Sequence, residues 1–100
     1  MQAELEFERE HSFEAQELLA KIVDLATKMT TEFHLDMSWS DDYRSLNFES
    51  HGGMTKGLTG TLHIASDRVQ MVLKLPFGLR PMSSTIRTEV EQYLDETIRR

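Results

Sequence analysis

From Ala3 to Glu10 apolar and polar residues change places at almost every step. Leu5 and Phe7 face one way, and Glu4, Glu6, Glu8 and Glu10 face the other. A period of two predicts a strand with one dry face and one wet face. The row of carboxylates repels itself and discourages edge-to-edge pairing. His11-Ser12 breaks the alternation, and Ser12 is the expected N-cap, its hydroxyl accepting an orphan amide of the first helical turn. From Phe13 the period turns helical. Leu18, Ile22, Leu25, Met29 and Phe33 recur at spacings of three and four, and Leu19, Val23 and Ala26 widen the stripe. This predicts a long amphipathic helix from about Phe13 to His34.

Four short alternating rows follow. Leu35, Met37 and Trp39 form the first, closed by the turn pair Asp41-Asp42. Leu46 and Phe48 form the second, closed by His51-Gly52-Gly53. Leu58, Gly60, Leu62 and Ile64 alternate with Thr59, Thr61 and His63. After Ser66-Asp67, the residues Val69, Met71, Leu73 and Leu75 make the last row. Strands joined by tight turns read as an antiparallel meander. Gly57 and Gly60 mark a bulge or a close backbone approach. Beyond Pro76 a helical period returns through Met82, Ile86, Val90, Tyr93/Leu94 and Thr97/Ile98. Pro81 suits the first turn of that helix, with Ser83 or Ser84 as rival starts.

The order is therefore β-α-β-β-β-β-α. The predicted fold class is α+β: a mostly antiparallel sheet with two amphipathic helices packed on one face, its other face polar. No linker or repeat interrupts residues 1–100, and one hundred residues suit a single domain.

Composition narrows the function. An apolar fraction of 39% is enough for a modest core. No apolar run approaches the ~20 residues that span a bilayer. The N-terminus MQAELEFERE is acidic, unlike a secretory signal peptide, so a cytoplasmic location is expected. Zero cysteines remove disulfides, thiolate metal sites and a thiol nucleophile. Residues 1–50 hold 12 acids and 4 bases (net −8), and residues 51–100 hold 5 acids and 7 bases (net +2), giving the overall −6. Net acidity repels phosphate backbones and argues against nucleic-acid binding. The bases Lys56, Arg68, Lys74, Arg80, Arg87, Arg99 and Arg100 are scattered, as on a solvated surface.

The chain offers little catalytic chemistry. His11, His34, His51 and His63 match no recognised ligand spacing, so no metal is expected. Asp41-Asp42 reads as turn chemistry. Glu91, Asp95 and Glu96 lie on a polar helix face, and Ser83-Ser84 lacks a nucleophile-elbow setting. The glycine-rich His51–Gly57 is followed by a strand instead of the helix that a phosphate cradle needs, and reads as a flexible hairpin. No enzyme activity and no cofactor are expected.

Leu73-Lys-Leu-Pro-Phe-Gly-Leu-Arg-Pro-Met82 is the unusual stretch, because a connection broken by Pro76, Gly78 and Pro81 stays apolar. In one reading it caps the core, with Phe77 beneath it contributing ~1.5–3 kcal/mol if fully buried. In the other, Phe77, Leu79 and Met82 form an apolar docking patch with Arg80 at its rim. Aromatic burial places Phe77 in the core; Leu79 fits either reading. Gly78 is expected to let the loop turn.

The pattern Phe33-His-Leu35, Trp39, Leu46-Asn-Phe48, Gly57-Leu-Thr-Gly60, Asp67-Arg-Val69 and Leu73-x-Leu-Pro-Phe77 resembles the polyhydroxyalkanoic acid system protein family. These are small bacterial proteins whose genes tend to lie near those for polyester granule synthesis and granule-surface proteins. The resemblance runs along nearly the whole chain and brings no catalytic residues. It implies a role around cytoplasmic polyester granules without supplying a mechanism. With the apolar connection as physical support, the expectation is a non-enzymatic accessory acting by apolar contact with the granule surface or granule proteins through Phe77, Leu79, Arg80 and Met82. Two other readings compete. One is an acyl-chain-binding domain with a pocket of Trp39, Phe48, Leu62 and Met71. The other is a homo-oligomeric interaction module.

Overall fold

The computed structural model describes residues 3–98, so Arg99 and Arg100 lie outside the described residues. Five strands and two helices follow one another: β1 (Ala3–Glu10), α1 (Ala15–Phe33), β2 (Asp36–Trp39), β3 (Ser45–Glu49), β4 (Thr59–Ile64), β5 (Arg68–Leu75) and α2 (Ser83–Thr97). The strands form one antiparallel sheet in the order β1-β5-β4-β3-β2. The α+β expectation, the element order and the meander from β2 to β5 all agree with this.

The opening strand has crossed to the far side of the meander. It pairs with β5, from Ala3 opposite Leu75 to Glu10 opposite Arg68. The chain enters at one edge of the sheet and resumes at the other, so α1 must span the sheet between them. The register aligns apolar residues in rows. Phe7, Met71, Leu62 and Leu46 are successive partners, as are Leu5, Leu73, Gly60 and Phe48. Leu18, Ile22, Leu25, Met29 and Phe33 of α1 and Ile86, Val90 and Leu94 of α2 are buried in the same core. On the opposite face Glu4, Lys74, Thr59, Glu49 and Asp36 stand in line, which leaves that side wet as expected.

Where phenylalanine and leucine rows converge, a glycine makes room. A Cβ built on Gly60 would stand 2.5 Å from Leu73 Cδ2 and 3.1 Å from the Val72 carbonyl oxygen. The close approach read from the sequence is real, and it lies in the middle of the sheet.

α2 is pinned over β1 by charge as well as packing. Arg9 shares the dry face of β1 with Leu5 and Phe7 but lies at the margin, where its Nε donates to Asp95 Oδ1 at 2.8 Å. The Arg87 guanidinium sits 5.5 Å from the centre of the Phe7 ring.

Three local expectations are corrected. Ser12 is not the cap of α1: the N-cap is Glu14, without a side-chain bond, and the nearby amide of Phe13 is taken by His11 Nδ1 at 3.2 Å. An imidazole already folded into the junction displaces the hydroxyl. Pro81 belongs to a 3₁₀ segment ahead of α2, which starts at Ser83. In the row Leu35, Met37, Trp39, only Leu35 is buried; Trp39 is half-covered and Met37 exposed. β2 is the sheet's edge, with a neighbour on one side only.

The turn from β2 to β3 is held by the Asp42 carboxylate, which accepts the Ser40 hydroxyl at 2.6 Å and the Arg44 amide at 3.0 Å. The Ser40 bond first, then the Arg44 amide, holds the Asp42 pKa below its usual 3.8.

Two outcomes follow from the fold. Gly60→Ala lowers stability by about 1–3 kcal/mol, because Leu73 must leave its rotamer inside a packed core; the urea midpoint measures it. For Asp42, a depressed folded-state pKa means stability that is present above the unfolded value and lost as pH falls through the folded one. The stability gap between wild type and Asp42→Asn is therefore open at neutral pH and closes as pH falls below 3.8, the usual value. Urea midpoints recorded across that range give the direction directly.

Candidate functional site

The candidate site is the connection from β5 to α2. The Pro76 ring fixes φ at −65° and lacks an amide to continue the ladder, so β5 ends at Leu75. Residues Phe77–Met82 then wind into a 3₁₀ segment, closed at its start by the Leu79 amide donating to the Pro76 carbonyl at 2.9 Å.

Three residues per turn decide which side chains point where. In a 3₁₀ segment positions i and i+3 eclipse, so Phe77 shares a side with Arg80, and Leu79 shares a side with Met82. Leu79 points inward and is 5% exposed. Phe77, about a third of a turn away, points out and is 73% exposed. The Arg80 guanidinium lies over it, 5.8 Å from the ring centre. Met82 closes the segment at 40% exposure. The expectation that Phe77 fills the core is thus overturned: only one direction of so tight a turn faces the core, and Leu79 occupies it. Gly78 has an ordinary φ, and a Cβ there would meet nothing within 4 Å, so the turn does not depend on glycine.

The neighbouring β3–β4 loop supports the base of this knuckle. Gly57 at φ 93° lies so close to Pro76 that a Cβ would stand 3.2 Å from the proline's Cβ. Gly53–Thr55 forms a 3₁₀ turn, where a flexible hairpin was expected. The Thr55 hydroxyl meets the Ser50 hydroxyl at 2.8 Å and donates to the Phe33 carbonyl at 2.6 Å. Those bonds tie the loop to the end of α1.

The second candidate set is divided by the fold. Phe48, Leu62 and Met71 are fully buried in the core, and Trp39 packs against its margin. The groove over the wet face of the sheet touches Phe48 and Met71, but Leu62 and Trp39 line neither it nor the cleft at the β1–α1 junction.

Polar groups single out no centre of chemistry. His11 is buried in the β1–α1 junction, with Nε2 3.1 Å from the Ala65 carbonyl. His34 takes the left-handed position that ends α1. His51 faces Asp36 and Glu49 at 3.6 and 3.7 Å, and His63 Nδ1 meets the Ser45 hydroxyl at 2.9 Å. Among the described residues no three His, Asp or Glu side chains converge as a metal site would require. Asp95 is paired with Arg9, and Glu91 with Arg87 at 3.7 Å. No helix among the described residues is long and apolar enough to cross a membrane.

Residues 5–98 match the family described as Putative polyhydroxyalkanoic acid system protein. No curated protein and no solved structure matches the chain.

The opposite burial of Phe77 and Leu79 has a direct readout. Leu79→Ala costs about 2–5 kcal/mol by emptying a core position, whereas Phe77→Ala stays within about 0.5 kcal/mol of wild type. Chemical denaturation of the two variants side by side separates the residues.

Proposed function

We propose that this chain, which belongs to the polyhydroxyalkanoic acid system protein family, is a non-enzymatic accessory of polyester storage granules that docks through the Phe77–Met82 knuckle. One observation carries the reading. A phenylalanine 73% exposed stands on a short, proline-bracketed turn whose inner face is anchored by buried Leu79. An aromatic held outward on a rigid support loses little conformational freedom on contact, which favours its use as an anchor.

Chemistry selects the target class. Phe77 and Met82 give up water on meeting an apolar surface, each contributing ~1.5–3 kcal/mol if fully covered. Arg80 stays at the rim, where its guanidinium offers donors to the ester or carboxylate oxygens of a polyester surface. Two apolar side chains hold one copy weakly, so retention on a granule depends on many copies adsorbing together. A granule protein with an apolar groove is the alternative target for the same knuckle. The family's association with polyester granules supports a cytoplasmic setting for such a role.

The test is cosedimentation with protein-stripped polyhydroxyalkanoate granules. Wild type pellets with the granules, and Phe77→Asp, checked as folded by circular dichroism, remains in solution. Phe77→Ala/Met82→Ala binds at least about 100-fold more weakly, as the loss of two contacts of ~1.5–3 kcal/mol each requires. A wild type that never pellets, under conditions where a known granule-binding protein does, ends the direct-docking reading. If Phe77→Asp instead dissociates a dimer seen by sedimentation velocity, the knuckle is a self-association contact.

A further inference from the structure

At the opposite end of the sheet the β1–α1 junction and the β2–β3 turn enclose a cleft of about 440 Å³. It is lined by buried His11 and Leu18 and by half-buried Phe13, Leu19 and Ile64. Tyr43 and Arg44 stand exposed at the mouth. Both ring nitrogens of His11 are occupied within the protein, Nδ1 by the Phe13 amide and Nε2 by the Ala65 carbonyl. What His11 presents to the cleft is therefore ring surface, stacked on Phe13 with centres 6.0 Å apart.

Two features set this cleft apart from an accidental dent. Tyr43 has φ 58°, a left-handed conformation that bulky residues rarely adopt. Strain of this kind gathers at ligand clamps. It turns an aromatic ring that is 61% exposed toward the cleft and 5.9 Å from the Trp39 ring. The second feature is a guanidinium with open donors at the mouth. Asp42 accepts the Ser40 hydroxyl and the Arg44 amide and feels the Arg44 charge without a direct bond to its guanidinium. The Arg44 guanidinium, in contrast, has no hydrogen bond or ion pair among the described residues.

We infer that this cleft binds a single medium-length alkyl chain ending in a carboxylate, with the chain against Leu18, Leu19 and Ile64 and the carboxylate on Arg44. The volume falls within the ~300–1,000 Å³ usual for small-ligand sites. A folded partner would need about 800 Å² of surface per side, far more than this recess offers. The planar guanidinium fork matches a carboxylate in two-point geometry, which selects a fatty acid over a neutral hydrocarbon. The inference stands apart from granule docking, since no cleft residue belongs to the knuckle.

Trp39 is the chain's single tryptophan and touches Tyr43, so it reports on the cleft without labelling. Sodium octanoate, titrated below its micellar range, produces a saturable change in Trp39 emission and amide NMR shifts centred on Leu19, Tyr43 and Ile64. Arg44→Gln weakens octanoate binding about tenfold, the scale of one charge-assisted contact, while 1-octanol binds wild type and Arg44→Gln alike. Tyr43→Gly, which relieves the left-handed strain, stays folded and binds octanoate more weakly. The inference is overturned if octanoate changes neither the emission nor the amide spectrum. It is equally overturned if Arg44→Gln binds as tightly as wild type, or if the shifts map to Phe77 and Met82.

Discussion

A sheet that is dry on one face only has to share that face between two helices, and everything else in this structure depends on that constraint. The β1 carboxylates and the Thr59, Thr61 and Lys74 side chains commit one side of the sheet to water. All the apolar rows fall on the other side. Neither helix can cover five strands alone. α1 crosses the sheet because it links β1 at one edge to β2 at the other, and α2 fills the remaining strip over β1. The Arg9–Asp95 pair fixes that second placement where apolar surface runs out at the sheet margin.

The ends of the sheet are where such an arrangement leaves openings. Each helix is joined to its strand by a connection that must leave the sheet plane and climb to the helix layer. At one end the climb is a 3₁₀ turn, short enough that only Leu79 reaches inward and Phe77 is turned out. At the other end the climb is made by His11 and Phe13, and the strained β2–β3 turn leans beside it, leaving a recess. The two features lie roughly 25 Å apart along the eight-residue strands, at about 3.3 Å per residue. A protein of this size can therefore present an apolar knuckle and a small-ligand recess that do not compete for surface.

The wet face also bears on the sheet's edges. β1 is a long edge strand with unpaired backbone groups on one side, a geometry that invites pairing between copies. Its row of glutamates sets like charge opposite like charge in any such pair, which is destabilising. Arg68 offsets part of that charge within the sheet by pairing with Glu8, to which the Gln70 amide also donates. The four glutamates of β1 thus serve the sheet's edge.

Periodicity alone determined the elements, because which face of a strand or helix is apolar is written in neighbouring residues and needs no partner to be read. The seven elements, the meander, the shared dry face and the close approach at Gly60 were legible for that reason. So was the proline-bracketed connection as the unusual stretch. Three things were settled only in three dimensions. β1 sits beside β5 because pairing is decided by residues some sixty positions apart, beyond the reach of any local pattern. Ser12 lost its capping role to an imidazole whose other nitrogen is held by Ala65. In the connection, Phe77 and Leu79 are near equals as apolar residues, and composition cannot rank them. The handedness and tightness of one 3₁₀ turn against a finished core sent leucine in and phenylalanine out.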